Sequence, residues 1–157
     1  MGLTMAARKF SEAALLKLGP SRVKDQFARA TTLDPQEFYL PFPPSVNGST
    51  FNLKPENGGG RALTDRAAQW VIDAGKELTR QKPKAYTVPV EIWIYLEERS
   101  GSDCSNFFKK VEDLLVAHRI IADDNSKFVR STHQVWSPET KGCRVSIRPA
   151  ALHGGEA

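Results

Sequence analysis

The chain has 157 residues, with 22 Lys and Arg against 18 Asp and Glu and a formal charge of +4. That length suits one domain around a single hydrophobic core. No apolar run approaches the roughly 20 residues of a membrane-spanning helix, repeats and heptads are absent, and Glu12 and Lys17 interrupt the only apolar patch near the N-terminus, so the expectation is a cytoplasmic protein without a signal peptide or membrane association.

Residues 1–36 read as an extension, in which 11–18 and 21–30 have the composition of two short helices broken by Gly19-Pro20. From Glu37 the pattern changes to Phe-Tyr-Leu-Pro-Phe-Pro-Pro-Ser-Val-Asn-Gly, an apolar strand stiffened by prolines that leaves through a turn at Asn47-Gly48. The globular domain is expected to run from here to about residue 150, with 151–157 as a tail. Residues 48–63, rich in Gly and Asn, read as a mobile loop carrying Lys54 and Arg61.

Thr64 is a candidate N-cap, and Ala67, Trp70, Val71, Ala74 and Leu78 recur at helical spacing up to about Arg80. Tyr86, Val88, Val90, Ile92, Ile94 and Leu96 then alternate with Thr87, Glu91, Trp93, Tyr95 and Glu97, the period of a strand with one buried face. For Trp93 and Tyr95 on the other face three surroundings are open, the first helix, a second subunit or nucleic acid, and packing is the default expectation. A second helix spans 105–118, with Phe107, Phe108, Val111, Leu114 and Leu115 on its apolar side and Asn106, Lys109 and Asp113 opposite. Strand-like runs at 128–136 and 143–147 follow, joined by an expected hairpin turn at Pro138–Gly142. The succession predicts an α+β (mixed α/β) domain, with one mixed sheet of about four strands packed with two helices, plus the partly helical N-terminal extension.

Charge is unevenly spread. Residues 1–30 and the stretch after 125 are basic, whereas the middle is net acidic. Basic flanks around an acidic centre suit a polyanion whose phosphates the flanks neutralise while the centre holds a cation. The acids that matter are Asp103, ending the loop after the long strand, and Asp123-Asp124, just past the second helix. That helix spans about 20 Å at 1.5 Å per residue. Asp103 and Asp124 therefore share an ion only if the chain after Ile121 doubles back along the helix. Hard oxygen ligands of this kind suit Mg²⁺, and Lys109 would offset charge on transition-state oxygens. The plainer alternatives are an i,i+4 ion pair of Lys109 with Asp113, a solvated turn at Asp123-Asp124, and Asp103 as a helix-start charge. Cys104 and Cys143 match no zinc spacing and read as buried or idle thiols.

The set Leu-Pro-Phe-Pro-Pro-Ser-Val-Asn (40–47), Asp103-x-Ser105-Asn106-x-x-Lys109-x-x-x-Asp113 and Asp123-Asp124 resembles the RusA-type endodeoxyribonucleases, the Holliday junction resolvases of bacteria and their phages. The resemblance covers roughly residues 38–148. It implies a homodimeric, Mg²⁺-dependent nuclease, with Mn²⁺ as substitute and no small-molecule cofactor, that makes symmetric paired nicks in four-way junctions and other branched DNA during recombination and repair. By this resemblance Asp103, Lys109 and Asp124 are catalytic, Asp103, Asp123 and Asp124 bind metal, and Asn106 supports them; Asn47, Lys54, Arg61, Asn106, Lys127 and Arg130 are the candidate DNA contacts. The chain departs from the family's Asp-x-Asp-Asn pattern by carrying Ser105 at the second acid. A neutral hydroxyl there weakens a cation site, which leaves a junction-binding protein of reduced turnover as the alternative.

Overall fold

Val90–Glu97 reads Val-Glu-Ile-Trp-Ile-Tyr-Leu-Glu, and its period-two pattern makes it a central strand with one wholly buried face. In the computed structural model, which describes residues 29–151, the elements in chain order are β1 (Gln36–Leu40), β2 (Thr50–Asn52), β3 (Arg61–Leu63), α1 (Asp65–Gln81), β4 (Val90–Glu97), α2 (Ser105–Ala117), β5 (Val129–Ser137) and β6 (Cys143–Pro149). Four strands form one mixed sheet in the order β1-β6-β4-β5. β6 lies antiparallel to both neighbours, with Val145 opposite Phe38 of β1 and Ile94 of β4. β5 runs parallel to β4, with His133 opposite Trp93.

One face of the sheet carries the core. Val90, Ile92, Ile94 and Leu96 of β4 pack with Cys143, Val145 and Ile147 of β6 and with Phe38 and Leu40 of β1. Trp70, Ala74 and Leu78 of α1 and Phe107, Val111, Leu114 and Leu115 of α2 close over the same cluster. Each fully buried Ile or Leu contributes roughly 1.5–3 kcal/mol, so this layer supplies the main stabilisation. The domain is the expected α+β arrangement of a mixed four-stranded sheet and two helices. α1 starts where the sequence predicts: Thr64 Oγ1 accepts the Ala67 N–H at 3.3 Å, satisfying a donor the helix start leaves unpaired.

Two expectations are corrected. The turn at 138–142 does not join a hairpin, because β4 lies between β5 and β6. The reason is burial: Cys143, Val145 and Ile147 are fully buried and claim an interior position, whereas β5 exposes Arg130, His133 and Val135 and suits an edge. The connection is pinned to the end of β4, where the Glu97 N–H donates to Gly142 O at 2.8 Å and the Gly142 N–H donates to Glu97 Oε2 at 2.9 Å. Gly142 has φ +68°, and a Cβ there would sit 2.7 Å from Leu40 O, so glycine alone fits. Next, residues 48–63 are not a plain loop. β2 and β3 pair antiparallel around a 3₁₀ turn at Pro55–Asn57, with Gly58 at φ +91°. Trp93 and Tyr95, whose surroundings the sequence leaves open, are packed on the face away from the helices, where Arg148 covers Trp93 at 4.1 Å, Arg144 covers Tyr95 at 4.0 Å, and His133 stacks on Trp93 at 4.6 Å. Their rings are shielded by neighbouring strands rather than by α1.

The free flank of β1 is closed by a side chain. The Tyr39 N–H donates to Gln81 Oε1 at 2.8 Å, and Gln81 Nε2 donates to Tyr39 O at 2.6 Å. Gln36 makes the same two-bond ring with the Lys84 backbone. Most of the 1–36 extension, including the predicted helix at 11–18 and all but the end of that at 21–30, lies outside the described residues. From Arg29 onward the chain is tied to the domain: Arg29 donates to His118 O at 2.5 Å and to Pro83 O at 2.9 Å, and the Thr32 N–H donates to Ala85 O at 2.9 Å.

Candidate functional site

α2 organises the site because two separate segments come to it. At its start, the Val46 N–H donates to Asn106 O at 2.8 Å, docking the proline-rich 41–47 segment, and Phe42 meets Phe107 edge-on at 5.0 Å. At its end the chain turns back. The Arg119 N–H donates to Val116 O at 3.0 Å and the Ile120 N–H to Leu115 O at 2.9 Å, the paired bonds of a Schellman motif. Arg119 takes the left-handed conformation there at φ 57°, a position that glycine usually fills. Ile120 and Ile121 are then buried, and the Tyr86 N–H fastens Ile120 O at 2.9 Å.

This reversal brings Asp124 to Lys109, fifteen residues earlier. Lys109 Nζ donates to Asp124 Oδ2 and also lies 3.0 Å from Asp113 Oδ1, one helical turn on. Burial acts to lower the Lys109 pKa, but the hydrogen bonds to Asp124 and Asp113 outweigh it and hold the amine well above its ordinary value. The same bond from Lys109 keeps the Asp124 carboxyl below the usual carboxylate range against the opposing effect of burial. Lys109 thus makes the helix-surface pair with Asp113 and the long-range contact with Asp124 together.

The acids expected to hold metal are each engaged locally. Asp103 Oδ1 accepts the Ser105 N–H at 3.0 Å and the Ser105 hydroxyl at 2.9 Å. Asp123 accepts the Asp124 N–H at 2.8 Å and the Asn125 amide at 2.6 Å. Asp124 is taken by Lys109. Hard carboxylate oxygens are the right chemistry for Mg²⁺, yet among the described residues no group of three or more Asp, Glu, His or Cys side chains is placed to hold an ion. As arranged, the donors do not fit a bound divalent cation.

Glu112 was not among the residues singled out from sequence. Only 7% exposed, it receives the Thr132 hydroxyl of β5 on Oε1 at 2.6 Å. Burial pushes its carboxyl pKa up, partly offset by that hydrogen bond and by the Lys109 charge. A signal for it exists in the sequence: Glu112 has Phe108 at i−4 and Leu115 at i+3, so it lies on the apolar stripe of α2. Ser105, Lys109 and Glu112 also fall at i, i+4 and i+7, on one side of the helix.

The expected DNA-contacting residues divide into groups. Lys127 and Arg130 follow Asp124 closely in an Asn125-capped turn, where the Lys127 N–H donates to Asn125 Oδ1 at 2.9 Å and Arg130 Nη1 donates to Ser126 O at 3.1 Å. Asn106 lies in the first turn of α2, and exposed Asn47 closes the segment docked on it. Lys54 and Arg61 are exposed on the β2-β3 ribbon, with Lys54 4.0 Å from Glu56. Cys104 and Cys143 are free thiols, and burial pushes Cys143 up to about 12. No helix among the described residues is long and apolar enough to cross a membrane. No protein-family model matches the chain, and no curated protein matches it.

Proposed function

We propose that the chain is a RusA-type structure-specific endodeoxyribonuclease that nicks four-way junctions and other branched DNA as a homodimer dependent on Mg²⁺ or Mn²⁺. The observation that carries this reading is the meeting of two sequence-distant motif segments on α2: 41–47 through Val46 and Asn106, and 123–124 through Lys109. A helix whose start bears Asp103 and whose middle bears a strongly held ammonium suits a phosphodiester, since a fixed positive charge stabilises developing negative charge on phosphate oxygens. Lys127 and Arg130 extend positive charge from the Asp124 turn along the chain, as phosphate-positioning residues do. A two-fold enzyme matches a two-fold junction because paired nicks need two equivalent centres at fixed separation.

The test is cleavage of a synthetic four-way junction with saturating Mg²⁺ or Mn²⁺, beside a linear duplex of the same sequence. Paired nicks in the junction, an intact duplex and their loss in Asp103→Asn are expected. Absence of nicking with either ion refutes the assignment. A second reading draws on Ser105, which stands at the expected second acid and spends both its N–H and its hydroxyl on Asp103. A junction-binding protein with little turnover would bind branched DNA with salt-dependent affinity in both wild type and Asp103→Asn and cut it in neither.

A further inference from the structure

α1 and α2 both close over one face of the sheet, which leaves the other without a helix among the described residues. Across β1, β6, β4 and β5 one row of that face reads Tyr39, Arg144, Tyr95 and Val135, and Trp93 and His133 stand side by side in the next. Tyr39 and Val135 are 51% and 39% exposed at the two ends of their row. A parallel strand pair such as β4 and β5 is ordinarily covered on both faces, so the sheet is one layer short. The charges indicate what supplies that layer. Arg144 pairs with Glu37 at 3.1 Å and Arg148 with Glu91 at 2.9 Å, so each guanidinium already has its carboxylate. A polyanion gains no net attraction from such a face, whereas interleaved cations and anions are complementary to a second copy of themselves. Trp, Tyr and Arg are also the side chains that carry protein–protein interfaces. We propose that the helix-free face of the sheet is the homodimer interface, packed sheet against sheet on a second copy of this chain about a two-fold axis lying between the layers.

This inference rests on the homodimer of the proposed function and gives it a surface. Pairing along the free margin of β5 would lengthen the sheet and leave the aromatic row as exposed as before, whereas stacking face to face, with the layers about 10 Å apart, covers it. The face is also arranged in advance. Arg148 and Arg144 are held over Trp93 and Tyr95 at 4.1 and 4.0 Å and fixed at the same time by Glu91 and Glu37, so these long side chains have little freedom left to lose on association. In the stacked dimer both copies turn α2 outward. The two Lys109–Asp124 contacts therefore lie on opposite outer sides, equivalent by symmetry and clear of the interface.

The test is analytical ultracentrifugation of the full chain as wild type, Tyr39→Glu, Val135→Glu and, on exposed α1 surface away from the sheet, Ile72→Glu as control. Each face variant should raise the dimer dissociation constant roughly tenfold or more, and Ile72→Glu should leave it unchanged. A wild type that stays monomeric, or a dimer that both face variants leave intact, overturns the proposal. A dimer weakened by Val135→Glu alone is an edge pairing through β5 and overturns it too, because Tyr39 stands three strands away. A measurement on the wild type alone guards against misfolding of the variants: hydroxyl-radical footprinting should show Tyr39 and His133 becoming protected as the protein concentration rises through the dissociation constant, while Ile72 stays reactive. Protection that comes only with added branched DNA makes the face a nucleic-acid platform and overturns the proposal. The nuclease assignment fails separately, since a dimer held by this face that nicks no junction sinks the nuclease alone, and a chain that nicks junctions while both face variants stay dimeric sinks the interface alone.

Discussion

Protonation of His118 should make the fold weaken with acid well above the pH at which carboxylates titrate. The imidazole follows α2 at the C-cap and packs on α1, where a Cβ on Gly75 would lie 3.4 Å from its ring. Burial, reinforced by the Arg29 charge, lowers its pKa from 6.5 to about 4. Because the folded value is the lower one, the unfolded chain takes up the proton first as the pH falls. The stability is complete above 6.5 and drains away toward 4. The slope is about 1.4 kcal/mol per pH unit inside that window, which amounts to a loss of about 2 kcal/mol at pH 5 from this one residue. Glu112, whose pKa burial raises, acts in the opposite sense, losing stability as the pH rises through its folded value. A comparison with His118→Phe removes that contribution, since Glu112 is common to both proteins. Urea unfolding at pH 7.5, 6.0 and 5.0 should show the wild type losing stability relative to His118→Phe as the pH falls, by about 2 kcal/mol at pH 5. Parallel curves for the two proteins would refute the assignment of a neutral, buried imidazole.

Three other outcomes are expected. Gly142→Ala forces a side chain into a left-handed conformation and against Leu40 O, and should cost roughly 2–3 kcal/mol in chemical denaturation, whereas Gly48→Ala, with open space around it, should change little. Thr132→Val preserves shape but leaves Glu112 without its donor, so unfolding measurements at pH 7.5 should show a loss of about 1–3 kcal/mol that shrinks as the pH falls and the raised Glu112 carboxyl takes up a proton. Ser105→Asp restores an acid beside Asp103 and should raise both Mn²⁺ affinity and the rate of junction nicking; a variant no faster than wild type removes Ser105 as the weak point of the proposed enzyme.

Much of the fold is legible in the chain because its elements obey their periods. The strand at Val90–Glu97 and the two helices announce themselves by alternation and by the 3.6-residue repeat, and Thr64 marks a helix start by chemistry alone. Strand pairing is less legible. Whether β5 pairs with β6 or across β4 depends on which strand has two apolar neighbours to bury against, a property of the assembled sheet rather than of the turn at 138–142. The alternation at Tyr86 and Val88 also overreaches, since Tyr86 leaves the strand to donate its hydroxyl to Asp34 O and Ile147 O. At the site, local motifs identify Lys109 and Asp124, but their meeting hangs on the left-handed residue Arg119, which carries no compositional mark. Glu112 escapes notice because a carboxylate in a helix is ordinarily solvated, and only its Phe108 and Leu115 neighbours betray it.

The glutamine clasp at Tyr39 gives the sheet a direction of growth. An amide side chain is a peptide group in miniature, and by presenting an oxygen and a nitrogen to the outer rim of β1 it mimics a passing strand and satisfies the groups through which an intruder would zip on. At the opposite rim β5 runs for nine residues and pairs, among the described residues, only with β4. Among the described residues, lateral recruitment of another backbone is therefore blocked at Tyr39 on one margin and left to β5 on the other, so a neighbouring copy that lengthened this sheet would have to enlist there.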